Sequence, residues 1–180
     1  QFAPYVYNSS TYSHSGSNCI RFYVYTTSGD STQYLILPEV DSATYPINTM
    51  QLSFWLRGNS TSSTYRSDVI VGVMTNPTVE SSFIPYDTIL SAGTAYNYHE
   101  INFDRYSGPQ GRITMMFPKP TASSSYEYGY LDDVKLDLIP ACPPITSHSV
   151  VATAGAARLT WEAGIEYSGY TVNYALDSVG

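Results

Sequence analysis

The sequence predicts an all-β protein: a two-sheet jelly-roll sandwich over residues 1–140, then a linker and the first strands of a second sandwich over 141–180. Three observations predict it. Apolar residues alternate with polar ones in short runs, the period of strands with one buried face. Gly, Pro, Ser and Asn interrupt those runs about every ten residues, the turn spacing of sandwiches and barrels. No stretch carries a helical apolar repeat of useful length.

In chain order, strands are expected near 19–27, 33–40, 49–57, 67–75, 83–90, 95–103, 111–118 and 127–139. That number of strands in about 140 residues suits two packed sheets. In CIRFYVYTT, Ile20, Phe22 and Val24 share one face, and Arg21, Tyr23 and Tyr25 the other. In MQLSFWLR, Met50, Leu52, Phe54 and Leu56 point one way, and Gln51, Ser53, Trp55 and Arg57 the other. A Trp among Gln, Ser and Arg belongs on the outer face of its sheet. There it is either covered by another strand or loop, or it offers a flat platform to the apolar face of a sugar ring.

The segment IPACPPIT holds three prolines, two adjacent, which no strand ladder tolerates internally. It sets a domain boundary near Pro140. Beyond it, SVVATAG, ARLTWEA and SGYTVNYAL read as three strands, with Leu159 and Trp161 on one face, and Tyr170, Val172 and Tyr174 sharing another. About 40 residues sit at the limit of a self-sustaining core. The segment is therefore expected to be the front of a longer domain continuing past Gly180. The start at Gln1 fits a mature or excised piece of a longer protein.

Composition bounds the function. Charged residues are 13%, against about 25% in ordinary soluble domains; hydroxyls and 18 tyrosines supply the polarity. A net charge of −7 without a basic run argues against nucleic acid and anionic membranes, and no apolar stretch is long enough to span a bilayer. Cys19 and Cys142 are too few for a disulfide scaffold; they either pair in an oxidising compartment or serve separately.

Catalytic patterns are lacking. His14, His99 and His148 are scattered, and the sequence has no nucleophile elbow, HExxH, phosphate loop or CxxC. Glu39 with Asp41, or Asp132 with Glu100, are acid pairs of the kind chance supplies. No enzyme is expected.

The Asp132–Asp133 pair stands apart. By strand parity Asp132 falls on the inward face with Val134, Leu136 and Leu138, and Asp133 lies with Leu131 and Lys135. An inward carboxylate is costly unless paired, hydrogen-bonded or bound to metal. Calcium is the natural extracellular candidate; the alternative is a carboxylate that caps backbone N–H groups.

The order SHSGSNCIRFY, YLILPEVD, INTMQLSFWLR, DVIVGVMTNP and YLDDVKLDLIPACP resembles a jelly-roll module of Bacteroidota surface proteins. This is the choice-of-anchor J family, related to MAM and cleaved-adhesin domains. The tail PPITSHSVVATAGAARLTWEAGIEYSGYTVNY resembles the opening strands of an immunoglobulin-like fibronectin type III domain, with Trp161 as its core Trp. The chain departs from the family at its start, where an acidic strand and a Cys-Trp element are expected.

The resemblance implies an extracellular, multidomain protein of the bacterial cell surface, and a non-catalytic adhesion or glycan-binding module. The alternative is a structural spacer that positions other domains. The expected partners are a glycan or surface protein and further domains of the same polypeptide. The ligand-binding candidates are Trp55, Tyr23, Tyr25 and Arg57. Similarity to calcium-binding carbohydrate-binding jelly rolls implies a structural calcium at Asp132, Asp133 and Ser15, the last in the YSHSGSN loop. Bacteroidota O-glycosylation at Asp-Ser/Thr-apolar triplets makes Ser42, Thr88 and Ser178 the modification candidates.

Overall fold

The structure is a computed structural model that describes residues 3–25, 32–59, 68–90, 93–119, 126–140, 147–153, 155–162 and 171–172. The chain divides into two compact units, Gln1–Ile139 and Pro140–Gly180.

Among the described residues the first unit holds nine strands: β1 (Tyr5–Asn8), β2 (Asn18–Tyr25), β3 (Gln33–Ile36), β4 (Met50–Gly58), β5 (Asp68–Met74), β6 (Phe83–Leu90), β7 (Asn97–Asn102), β8 (Arg112–Phe117) and β9 (Tyr126–Leu138). They form a five-stranded sheet in the order β1-β2-β9-β4-β7 and a four-stranded sheet in the order β3-β8-β5-β6. Every pairing is antiparallel. Among the described residues the only helical elements are two 3-10 turns, Ile47–Thr49 and Glu80–Ser82. The all-β sandwich expectation holds, and each of the eight expected strands has its counterpart. The addition is β1, whose mostly exposed YVYN carries no apolar alternation.

Alternation fixes the core. Met50, Leu52, Phe54 and Leu56 are buried along β4, and Phe22 and Val24 along β2. They pack with Val69, Val71 and Val73 of β5 and Ile113, Met115 and Phe117 of β8. The Phe22 and Phe117 rings stack at 4.9 Å between centroids. Gly129 of β9 makes room for that stack, since a Cβ there would stand 2.8 Å from the Phe117 ring.

One strand breaks the alternation. In the β9–β4 ladder Lys135 pairs with Ser53 but Asp132 pairs with Trp55, so the register shifts by one residue. The extra residue is a β-bulge at Asp133, whose φ is +49°. Asp adopts such left-handed values more readily than most residues. The bulge reverses the parity of everything before it. Asp132 therefore lies on the outer face opposite Trp55, and the inward placement expected from its spacing to Val134 and Leu136 does not hold. Leu131, Val134 and Leu136 all pack on the core.

In the second unit, β10 (Ser147–Thr153) and β11 (Ala156–Glu162) form an antiparallel hairpin. Its tight turn contains Gly155 at φ +84°. His148, Val150, Leu159 and Trp161 line a pocket on this hairpin with Val172. Most of the third expected strand, with Tyr170 and Tyr174, lies outside the described residues, as do Cys142 and Ser178.

Candidate functional site

The outer face of the five-stranded sheet is built from tyrosine and arginine. The register puts Tyr5 opposite Arg21, Arg21 opposite Tyr130 and Tyr130 opposite Arg57, one row across β1, β2, β9 and β4. Tyr23 and Tyr128 pair one step along. The Arg21 guanidinium lies 4.1 Å from the Tyr128 ring centroid, 4.9 Å from Tyr7 and 5.5 Å from Tyr23. Its Nη1 donates to the Tyr5 hydroxyl at 3.0 Å. Each such cation–ring contact contributes about 0.5–2 kcal/mol, more as water is excluded.

Arg57 belongs to the same row. Its guanidinium lies within 5.2 Å of the Tyr12 ring, 5.5 Å of Tyr130 and 5.8 Å of Tyr96. Tyr130 thus has a guanidinium on either neighbouring strand. It is buried, and that burial pushes its phenol up to about 12.

A loop between β1 and β2 folds over this face. Ser9 N–H donates to the Ser17 carbonyl at 2.8 Å, and Gly16 takes the left-handed φ of +58° that lets the turn close. The Tyr96 hydroxyl donates to the Tyr12 carbonyl at 2.6 Å. Tyr12 stacks on Tyr130 at 4.7 Å. His14 stacks on Trp55 at 3.9 Å with the planes 15° apart, so one indole face is already occupied. Trp55 is half-buried, with Tyr98 beside it at 5.5 Å.

The aspartates staple that loop. His14 N–H and Ser15 N–H both donate to Asp132 Oδ2, at 2.7 and 3.1 Å, and Asp133 N–H donates to Oδ1 at 2.8 Å. The Asp133 carboxylate bonds the His14 ring at 2.7 Å and the Ser15 hydroxyl at 2.5 Å. The Ser15 hydroxyl, then His14, hold the Asp133 carboxyl below the usual carboxylate range. These carboxylates face hydrogen-bond donors. Among the described residues no three His, Cys, Asp or Glu side chains gather as metal ligands. A calcium ion takes six to eight oxygens, and N–H groups aimed at Asp132 repel a cation. In this arrangement Asp132 caps backbone N–H groups, the alternative to the calcium expected at Asp132, Asp133 and Ser15.

The remaining candidates fall elsewhere. The side chain of Tyr25 lies outside the described residues. Ser42 is exposed in a turn closed by Asp41, which accepts from Ala43 N–H at 3.1 Å and the Thr44 hydroxyl at 2.7 Å. Thr88 is exposed on the edge strand β6. Glu39 pairs with Arg112 at 2.7 Å, and Glu100 accepts from the Tyr98 hydroxyl at 3.2 Å. His99 points inward beside Phe54, and burial lowers its pKa. Cys19 is a buried free thiol, raised in pKa by that burial. Among the described residues no helix is long and apolar enough to cross a membrane.

Of the ring around Arg21 the sequence points to Tyr23 alone; Arg21 itself, Tyr5, Tyr7, Tyr128 and Tyr130 are not among the candidates it offers. Tyr5 and Tyr7 sit on a strand that alternation does not reveal, and Tyr128 and Tyr130 precede the bulge.

No protein-family model matches the chain, and no curated protein matches it in sequence. Solved structures do match its fold. The K1 cleaved adhesin domain of Lys-gingipain from Porphyromonas gingivalis W83 aligns with a TM-score of 0.54 and 16% identity, over 77% of this chain and 85% of that one. The family 30 carbohydrate-binding module of a cellulosomal cellulase of Clostridium thermocellum aligns at 0.51 and 16%, over 76% and 82%. The K2 cleaved adhesin domain of Lys-gingipain aligns at 0.51 and 14%, over 76% and 82%. The likeness is one of fold.

Proposed function

We propose that this chain is a non-catalytic glycan-binding module of an extracellular, surface-displayed bacterial protein. The observation that carries this reading is the outer face of the five-stranded sheet, where Tyr5, Tyr23 and Tyr128 gather around Arg21 with their rings partly open to water. Such rings stack on the C–H faces of sugars, while their hydroxyls and the guanidinium bond sugar oxygens. The fold likeness to a carbohydrate-binding module and to adhesin domains supports the class. Trp55 and Arg57 border the surface from under the loop. Binding of the whole chain to a glycan array carrying neutral, carboxylated and sulfated saccharides tests the reading. Loss of binding in Tyr23→Ala and Tyr128→Ala at unchanged fold supports it, and no binding at any glycan sinks it.

A spacer role is the competing reading, favoured by the loop that covers Trp55 and Tyr130. Absence of any ligand on the same array, together with a rigid link to flanking domains, is its expected outcome. We propose further that residues 141–180 open a fibronectin type III domain, since the β10–β11 hairpin leaves Val150, Val151 and Leu159 exposed and the tail carries the resemblance. O-glycosylation at Ser42, Thr88 and Ser178 is proposed from the triplets alone, to be tested by intact-mass and peptide mass spectrometry of the native protein.

A further inference from the structure

We infer that the ligand of the Arg21 face is an acidic saccharide, one that brings a carboxylate or a sulfate to Arg21. The inference rests on the glycan-binding reading above and names the class of sugar.

The warrant is uncompensated charge. The chain has 15 acidic residues against 8 basic ones, so a cation on its surface has acids to choose from. Arg112 takes Glu39 and Lys135 takes Asp137, each at 2.7 Å. Among the described residues Arg21 and Arg57 have no carboxylate within 4 Å. They stand on the two strands that flank β9, separated by Tyr130, and strands lie about 4.8 Å apart. Two guanidinium groups on strands two spacings apart, ~9.6 Å, make a locus that favours an anion between them.

Their donors are also underused. A guanidinium offers five N–H groups in a rigid fork. Among the described residues Arg21 spends one on the Tyr5 hydroxyl, and Arg57 reaches only the Thr11 carbonyl, at 3.5 Å. The Nε of each is buried with no acceptor. Asp132, on the same face beside Trp55, is already engaged by three backbone N–H groups. It is therefore not the missing counter-charge.

The tyrosines decide what kind of anion fits. Arg21 is surrounded by aromatic rings that suit the C–H face of a sugar, and its planar fork matches a carboxylate or sulfate bidentately. A long polyanion is a poor match. Nucleic acid needs many cations to neutralise its backbone, and the net charge of −7 opposes it. A local cationic pair in an acidic chain suits a saccharide with sparse charges.

Calorimetry with the whole chain tests this with hyaluronan oligosaccharides (carboxylate only), chondroitin sulfate oligosaccharides (carboxylate and sulfate), keratan sulfate oligosaccharides (sulfate only) and neutral dextran. At least one acidic sugar is expected to bind about tenfold tighter than neutral dextran, or more. Which one binds separates carboxylate from sulfate. Arg21→Gln should bring that affinity down to the neutral level. Arg112→Gln, which removes the same charge away from this face, should leave it unchanged. Arg21→Lys keeps the charge without the fork and should fall between; it also serves as the folded comparison if Arg21→Gln melts early. Equal binding of neutral dextran, full acidic-sugar affinity in Arg21→Gln, or equally tight binding of poly-L-glutamate overturns the inference. Binding to neutral glycans alone on the array overturns it too while sparing the glycan-binding reading, whereas silence across the whole array removes both.

Discussion

The imidazole of His14 lies flat on the indole of Trp55, with ring centroids 3.9 Å apart and planes 15° apart. Asp133 holds the other side of the relationship by bonding the His14 ring at 2.7 Å. A loop of the N-terminal segment is thus fastened to the middle of a sheet through one stack and one polar contact.

Removing that stack should be readable by light. In a Trp161→Phe background, leaving Trp55 as the single tryptophan, His14→Ala should shift emission to the red as one indole face opens to water. The stability loss should be about 0.5–1.5 kcal/mol, the worth of an aromatic pair. An unchanged spectrum would mean the loop covers Trp55 without His14.

Asp132→Ala strands the N–H groups of His14 and Ser15. Leaving such donors unsatisfied costs about 1–3 kcal/mol where water cannot replace the acceptor. Hydrogen exchange at these two amides should accelerate before that of the β2 core. Chelator and added calcium should leave the wild-type melting temperature in place, because a ligand stabilises only what it binds. A rise with calcium would contradict the donor geometry.

Two acid-sensitive windows should separate. His99 has a pKa lowered by burial from 6.5. The unfolded chain therefore takes up its proton first, and stability falls as the pH drops below 6.5 toward the lowered folded value. His99→Gln should flatten that part of the profile. Asp133 has a carboxyl lowered from 3.8. Its contribution is complete above that value and is lost as pH falls through the folded one. The gap between wild type and Asp133→Asn should therefore close only at the acid end. Melting temperature against pH for the three proteins checks both.

Gln33→Leu tests the amide that joins the two sheets. The Gln33 side chain is buried, accepts from Tyr23 N–H at 3.1 Å and donates to the Tyr23 carbonyl at 2.8 Å. The substitution leaves both backbone groups without this partner and should cost about 1–3 kcal/mol in chemical denaturation.

Strands with a clean period of two were legible from sequence. MQLSFWLR fixed β4 and its buried Met50, Leu52, Phe54 and Leu56, and CIRFYVYTT fixed the two faces of β2. The Asp132 face was not legible, because one residue in a left-handed conformation inverts the pleat and no periodicity records it. An Asp-Asp pair in mid-strand is the trace it leaves, since Asp tolerates that backbone. The Arg21 cluster was half legible: parity put Arg21 outward, but its tyrosines come from three strands and meet only through cross-strand register. The cover on Trp55 depends on a loop that returns from 41 residues earlier in the chain.

The amide of Gln33 has one more consequence. Among the described residues β1 pairs with β2 from Asn18 to Arg21, and Tyr23 lies one step beyond that pairing. Gln33 takes both the N–H and the carbonyl there. A side chain thus occupies backbone groups that strand addition would use, one of the ways in which edges are protected. Replacing Gln33 removes a guard against self-association as well as a pair of hydrogen bonds, and loss of solubility should accompany the loss of stability.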